Sequence, residues 1–339
     1  MSLSLIRLAG ATLVALAVPA ASHAASPWYE RDTCRSTIRA AYGADTPALE
    51  AQLNTLERSA DLDDQACAVW VRASYSEIHI AVFGKDPPQL TARRKSLTRL
   101  FQFGRTHKGK EPRFADLELE ARLRRVRVLF EEGKRADALR EIKQLYELVG
   151  KREKQPPTPT SDYVHGVLNG ALAAPGWAAR AILTMAGLSS DLSIAAEDMG
   201  KLMRGESVYK WDAAFVAHHF AEEVPDGPFK PAATYTGLLL QQFPANPQWA
   251  LDHAFEHHHA KKYADASAVL APVIARLDAK PDLWSARIRA KLFWLAGRVA
   301  LDAGDRPAAK KLLARATAQG WRDEGYGERI DELSEALGS

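Results

Sequence analysis

Three stretches of the chain share one form: EGKRADA at 132–138, AKKYADA at 260–266 and AGDRPAA at 303–309. Each is a short polar break between two segments with helical periodicity, and so predicts a tight turn between two helices. A repeated helical hairpin cannot bury its own apolar face, so neighbouring hairpins must stack on it. The recurrence therefore predicts a helical repeat protein with a concave binding surface rather than a compact enzyme.

Helical periodicity continues through nearly every other segment, and alternating runs of β-branched residues are almost absent. We therefore predict an all-α fold, an α-solenoid of antiparallel helical hairpins. One of these helices is predicted at 177–188, within a region at 162–230 that follows no regular repeat. The predicted parts are a signal peptide at 1–24, N-terminal hairpins at 25–104, a degenerate hairpin at 105–150, a proline-rich linker at 151–161, an irregular helical region at 162–230 and regular repeats at 231–339.

The N-terminus has the form of a secretory signal. Arg7 precedes an apolar run at 8–18, and the small residues Ser22 and Ala24 stand before a cut after Ala24. The run is shorter than the roughly 20 residues of a membrane span, and no later stretch reaches that length without a charge. We expect a mature chain that does not span a membrane and lies in the periplasm of a Gram-negative bacterium.

The net charge does not indicate binding to nucleic acid or anionic membranes, because 45 basic residues nearly balance 42 acidic ones. Basic runs at 93–95, 105–110 and 122–127 are interpreted as solvated helix faces. Asp116, Glu118 and Glu120 lie close enough in sequence to pair with the last of them. A patch for lipid phosphates, glycans or an acidic partner is the alternative.

The chain has two cysteines, Cys34 and Cys67, both in its first quarter. An exported protein encounters an oxidising compartment, so we predict a disulfide between them that staples the first helices, worth about 3 kcal/mol. Two buried free thiols are the alternative.

Two glycines, Gly166 and Gly170, stand four apart in a helical pattern and predict a close helix contact.

The final hairpins resemble tetratricopeptide repeats (TPR), in which small residues let the two helices of a hairpin approach closely beside a large apolar residue. Ala232 and Ala266 are separated by 34 residues, the length of one repeat. The resemblance implies a TPR-like solenoid from Pro231 onward, with a weaker copy near Ala138. The matching residues are Ala254, Ala266 and Leu270 in one unit, where Val273 replaces a small residue, and Gly297, Gly304, Ala309, Leu313 and Ala316 in the last.

The sequences DYVHG at 162–166 and FPANP at 243–247, with the segment at 176–188 between them, resemble a bacterial group of exported tetratricopeptide-repeat proteins. That group is distantly similar to the eukaryotic inclusion body clearance family. The resemblance implies a helical scaffold and no common chemistry.

Histidines are concentrated at 253 and 257–259. Histidines at i and i+4 share a helix face and can chelate a transition metal. The spacing is not the His-Glu-x-x-His of zincins. The repeat register places His253 and His257 on a face that packs against the second helix of the hairpin, so packed histidines are the favoured interpretation.

A second pair, His218 and His219, precedes two glutamates. If its helix lies alongside, His219 joins His253 and His257 as a candidate metal ligand. Contacts to a substrate or a pH-dependent role also remain open for these histidines.

Three residues are candidates for contacting a partner in the groove: Phe255, His258 and Trp294. Trp294 follows a large apolar position of its repeat, so it is a candidate ligand platform, with packing as the alternative. No catalytic motif accompanies them. We predict a non-catalytic scaffold that binds a peptide or protein partner of the cell envelope, without a cofactor. An exported metal-dependent hydrolase, using His218, His219 and the histidines at 253–259, is the alternative.

Overall fold

Regular structure in the described part of the chain is helical. The computed structural model describes residues 26–84, 87–109, 111–174, 187–188, 190–224, 226–323 and 325–338. Within those ranges it contains fifteen α-helices, one 3-10 helix and no strand, which confirms the all-α prediction. The predicted signal peptide and nearly all of the helix predicted at 177–188 lie outside the described residues.

Short connections join most of the helices. Within the ranges given above, no helix is both long and apolar enough to cross a membrane. The helices are α1 (Asp32–Tyr42), α2 (Thr46–Arg58), α3 (Leu62–Phe83), α4 (Pro87–His107), α5 (Pro112–Glu131), α6 (Arg135–Arg152), α7 (Pro159–Ala173), α8 (Leu192–Arg204), α9 (Tyr209–Glu223), α10 (Ala232–Gln242), α11 (Pro247–His259), α12 (Tyr263–Ala279), α13 (Ala286–Asp302), α14 (Arg306–Thr317) and α15 (Tyr326–Leu337).

The first helix begins later than the sequence predicts. Periodicity favours a start at Trp28, but α1 begins at Asp32 because Arg31 is extended, with φ −70° and ψ 137°. The Arg31 guanidinium lies 2.8 Å from the Asp61 carboxylate and 2.9 Å from that of Asp64, near the start of α3. These ion pairs hold the entry segment against α3.

A disulfide joins α1 to α3. Cys34 and Cys67 are bonded, with their Cα atoms 5.6 Å apart, and both are fully buried. The predicted pairing is therefore confirmed. It links residues separated by 33 positions, within the N-terminal group of helices.

The three similar turns have the same backbone geometry. Gly133, Lys261 and Gly304 occupy equivalent positions and have φ values of 74°, 58° and 89°. In each turn the amide of the next residue donates to the carbonyl five positions earlier, at 2.8 or 2.9 Å. This hydrogen bond closes a helix whose terminal residue is left-handed, and it lets the following helix turn back at once.

A fourth copy of the turn lies between α1 and α2. Ala44 has φ 58°, and the Asp45 amide donates to the carbonyl five positions earlier at 3.0 Å. The Asp45 carboxylate then caps α2 by accepting from the Ala48 amide at 3.2 Å. Asp305 caps α14 in the same way, accepting from Ala308 at 3.0 Å. This copy, GADTPA at 43–48, shares Asp-x-Pro-Ala with the turn at 303–309 and has alanine at the left-handed position, where Lys261 also replaces glycine.

Packing is not limited to helices adjacent in sequence. The Tyr42 ring lies 5.4 Å from that of Phe243 and 5.8 Å from that of Trp249. The Tyr42 carbonyl accepts hydrogen bonds from the Asn246 amide at 2.8 Å and the Trp249 indole at 3.1 Å. The end of α1 therefore packs against residues 204 and 207 positions later in the chain.

The proline-containing connection between α6 and α7 is shorter than the predicted linker, because α6 continues through Arg152 and α7 begins at Pro159. Arg152 and the Thr158 hydroxyl both donate to the Asp116 carboxylate of α5, at 2.6 Å each. The Thr158 hydroxyl also accepts from the Ser161 amide at 3.1 Å, which caps α7. The connection is thus held against α5.

Candidate functional site

A dense group of titratable side chains lies where α9 faces α11. Glu222 places one carboxylate oxygen 3.6 Å from His218 Nε2 and the other 3.2 Å from His219 Nδ1. From α11, Glu256 Oε1 comes within 3.9 Å of His218 Nδ1. We name His218, His219, Glu222 and Glu256 the α9–α11 cluster.

Helical spacing gathers this cluster and its aromatic border. Residues three or four apart share a helix face, and α9 contributes positions 215, 218, 219 and 222, while α11 contributes 252, 255, 256 and 259. The Phe215 ring lies 4.5 Å from the His219 ring, and the Phe255 ring lies 4.1 Å from the His259 ring. Apolar rings therefore flank the polar groups on both helices.

Burial makes two carboxyl groups of α11 titrate near neutral pH. Burial, reinforced by the charge of Glu222, raises the pKa of Glu256 to about 7. Burial also raises the pKa of Asp252 to about 7, although a hydrogen bond from Gln248 and the charge of His219 oppose it. Carboxyl groups that titrate near neutral pH can exchange protons with a ligand, and such groups are enriched at functional sites.

On the α9 side of the cluster, the pKa values of His218 and Glu222 are shifted downward. Burial lowers the pKa of His218 to about 4, so its imidazole is neutral at physiological pH. Burial acts to raise the pKa of Glu222, but the hydrogen bond with His219 and the charges of the neighbouring histidines bring it below its ordinary value. Glu222 is therefore the ionised carboxylate of the cluster.

The cluster contains a set of potential metal donors. Among the described residues, the group of three or more such side chains whose ligand atoms all lie within 4.8 Å of one another is His218, His219 and Glu222. His253 and His257 are not part of it. The structure thus separates the histidines that the hydrolase alternative combined.

His253 and His257 lie on a different side of α11. Their Nε2 atoms are 3.1 Å apart, and His253 Nδ1 lies 2.9 Å from the hydroxyl of Thr236 in α10. The nearest atom to a Cβ built on Gly237 would be His253 Cε1, at 3.1 Å. His253 thus packs against the preceding helix, α10, whereas the repeat register places this face against α12, the second helix of the hairpin; His257 lies 4.0 Å from the carboxylate of Asp265 in α12.

The other predicted groove residues are only partly accessible. His258 is half-buried and its Nε2 lies 2.7 Å from the carboxylate of Asp302 in α13. Phe255 is half-buried on the aromatic border of the cluster. Of the three, Phe255 is the one that adjoins the α9–α11 cluster.

Trp294 does not form an open platform. Its side chain is 9% exposed, and its indole donates to the carbonyl of Arg329 at 3.0 Å. The Tyr326 ring stands edge-on to it at 5.3 Å. The last helix, α15, therefore covers the face of Trp294 that the sequence assigned to the groove.

One cation from α13 and one from α15 act electrostatically on residues of α11: buried Lys291 on Asp252, and Arg329 on His259. The ammonium of Lys291 lies 5.4 Å from the centre of the Trp321 ring, and the guanidinium of Arg329 lies 4.9 Å from that of Tyr326. The Lys291 charge acts to lower the pKa of Asp252, after the larger effects of burial and hydrogen bonding. Sequence periodicity gave no reason to select Lys291, because its aromatic neighbours lie in a later segment, whereas Arg329 stands three positions after Tyr326 in the same helix.

The basic runs are not simply solvated helix faces. Arg93 is buried and pairs with Glu131 at 2.7 Å, and Arg124 is only 5% exposed, with Glu120 at 2.5 Å. The predicted pairing of this run is confirmed for Glu120 and for Glu118, whose carboxylate lies 3.3 Å from the guanidinium of Arg122. Asp116 pairs with an arginine of α6 instead, because the turn after α5 brings α6 alongside. Arg125 is exposed, as the sequence predicts.

Comparisons of the chain with protein-family models, with curated proteins and with solved structures found no match.

Proposed function

We propose that this protein is an exported, non-catalytic binding scaffold with TPR-like hairpins, which holds a peptide or protein partner of the cell envelope. The observation that carries the proposal is the group of charged and aromatic side chains at the α9–α11 cluster, where the exposed side chains of His219 and Glu222 lie beside an aromatic border that includes half-buried Phe255. Stacked helices keep such side chains in place before a partner binds, which reduces the entropy lost on binding.

The packing of the last hairpins supports a TPR-like arrangement. The small residues that match the repeat pattern, among them Ala254, Ala266 and Ala309, are fully buried. A Cβ on Gly297 would lie 3.2 Å from the side chain of Leu333. Small residues are thus placed where the helices approach most closely.

The distribution of charge supports a segment of mixed charge as the partner. Glu222 is ionised and its side chain is 40% exposed, whereas half-buried Arg329 of α15 carries a positive charge that acts on His259 of α11. Lys291 of α13 is buried against the rings of Trp321 and Tyr326. Complementary charges favour one orientation and reject others. A basic part of the partner would face Glu222 of α9 and an acidic part would face Arg329 of α15, with Phe255 of α11 as an apolar contact.

Site-specific photocrosslinking tests this proposal. A photoreactive amino acid replaces Phe255 in one variant and Lys310, an exposed residue of α14, in a matched control. Irradiation of cells should give discrete adducts from position 255 that are absent from position 310. Charge reversal by Glu222→Lys should weaken those adducts. Equal adducts from both positions, or none from position 255, would reject binding at this surface.

The exported location has its own test. Cells that produce the full chain are fractionated, and the N-terminus of the purified protein is sequenced. We expect periplasmic protein that begins at Ala25. Uncleaved protein in the cytosolic fraction would contradict the export proposal and leave the crosslinking result to be judged separately.

A further inference from the structure

We propose that His218, His219 and Glu222 bind a divalent transition-metal ion, with zinc as the best match, and that Glu256 orients His218 from behind. The site would stand beside the partner-binding surface and goes beyond the scaffold role. Two imidazoles and one carboxylate from protein, with a further position open to water, form a donor set that zinc accepts.

The distances between donor atoms fit a single ion. Metal–ligand bonds of about 2.0–2.2 Å in tetrahedral geometry separate neighbouring donor atoms by roughly 3.4 Å. Glu222 oxygens lie 3.6 Å from His218 Nε2 and 3.2 Å from His219 Nδ1. The two imidazole rings are 5.5 Å apart and inclined by 32°. Small rotations of side chains would bring all three donors to one point.

His218 provides a second, independent observation. Its side chain is buried, with 2% of the residue exposed, and Nδ1 has no hydrogen-bond partner. A buried polar atom without a partner destabilises a fold by about 1–3 kcal/mol. Glu256 Oε1 stands 3.9 Å from that nitrogen. A metal on Nε2 would make Nδ1–H a stronger donor toward Glu256, which is the carboxylate–histidine–metal relationship found in many zinc sites.

The site is open on one side. The side chains of His219 and Glu222 are 44% and 40% exposed, so an ion and its waters can reach the donors. Calcium and magnesium prefer sites made only of oxygen atoms, whereas imidazole nitrogen favours zinc and its neighbours in the first transition series. The donor chemistry therefore discriminates between these two classes of cation.

Titration calorimetry with zinc chloride tests the proposal on the full folded chain after treatment with EDTA. We expect one zinc ion per chain and no heat with magnesium or calcium. His219→Ala and Glu222→Gln change exposed side chains, so the fold should persist, and each should weaken zinc binding at least 10-fold. Glu256→Gln should weaken it about 10- to 100-fold, as loss of an orienting group does.

The control is His257→Ala, which alters the other histidine pair on α11 and should leave zinc affinity unchanged. Circular dichroism verifies the fold of every variant, and the visible spectrum of the cobalt-substituted protein reports the ligand geometry. Absence of zinc binding in the parent chain would overturn the proposal. Loss of binding in His257→Ala with full binding in His219→Ala would also overturn it, because the ion would then sit at the wrong histidine pair.

Discussion

The guanidinium of Arg124 in α5 lies 2.9 Å from the carboxylate of Asp212 in α9, although the two residues are 88 positions apart. The same guanidinium contacts Glu120, and the Tyr42 hydroxyl donates to Asp212. Trp70 donates to Glu120 at 2.9 Å. These contacts join α1, α3, α5 and α9 through one buried group of charges, at the centre of the N-terminal and middle helices.

Replacing Arg124 should strongly destabilise the protein. Burial raises the pKa of both Glu120 and Asp212, and Arg124 opposes that effect. Arg124→Met would leave these carboxyl groups buried without their cation, which lowers the free energy of unfolding by about 3–5 kcal/mol. Urea denaturation measures the change. Arg125→Met, on the exposed face of the same helix, is the matched control and should change stability by less than about 0.5 kcal/mol.

Local sequence patterns predicted the helices of this fold better than they predicted which residues pack against each helix. Helical periodicity and the recurring turn identified the hairpins, because both depend on residues close in sequence. Arg124 was placed on a solvated face, since nothing in its own helix indicates that Asp212 packs against it. Trp294 was placed in the groove because the covering residues, Tyr326 and Arg329, belong to a helix more than thirty positions later. Tertiary contacts of this kind are not encoded in a local period.

The candidate site was predicted only in part. The sequence indicated two groups of histidines, and the repeat register favoured packing for His253 and His257, but it did not show which helix faces His218 and His219. The structure separates His219 from His253 because the helical period turns the second residue toward α10. Glu256 and Asp252 were missed altogether, as their significance depends on burial opposite α9. One signal was available in the sequence: Glu256 stands three positions before His259, so the two side chains share a helix face.

Glycine at the left-handed turn positions gives a direct stability prediction. Lys261 and Ala44 each have φ 58°, a conformation that disfavours a side chain by about 1–2 kcal/mol. Lys261→Gly should therefore raise the free energy of unfolding by roughly 0.5–1 kcal/mol, after the greater freedom of glycine in the unfolded chain is counted. Gly304→Ala, at the equivalent position, should lower it by a similar amount. Thermal denaturation compares the two, and a destabilised Lys261→Gly would contradict the prediction.

A side chain at Gly170 should force α7 away from α9. A Cβ there would lie 2.2 Å from the Phe220 ring, which confirms the close helix contact predicted for this glycine. Gly170→Ala should cost about 1–3 kcal/mol through overpacking. In contrast, a Cβ at Gly150 meets no atom within 4 Å. Gly150→Ala should be neutral or stabilise α6 by up to about 1 kcal/mol. Equal effects of the two substitutions in urea denaturation would show that the helix contact is looser than described.

Loss of the disulfide should destabilise the N-terminal helices without changing the fold. The Cys34–Cys67 bond closes a loop between residues 33 positions apart. The double variant Cys34→Ala, Cys67→Ala should unfold with a free energy lower by roughly 2–4 kcal/mol. Labelling of the unreduced, denatured parent chain should find no free thiol. Quantitative labelling of both cysteines in protein purified without reductant would refute the bond.

The contact between His165 in α7 and Asp198 in α8 should make stability depend on pH. His165 Nδ1 lies 2.7 Å from Asp198 Oδ2, and this hydrogen bond raises the pKa of His165, while burial opposes it in part. The folded pKa thus exceeds the unfolded value of about 6.5. The stabilisation is complete below the unfolded pKa and is lost as pH rises through the folded pKa.

Asp198→Asn should therefore destabilise the protein by about 1 kcal/mol at pH 5.5, and by less at pH 8.5. Urea denaturation at both pH values measures the difference, and Asp191→Asn, an exposed cap of α8, serves as the control. A penalty for Asp198→Asn that grows with rising pH would have the wrong sign for a charged histidine and would overturn the assignment.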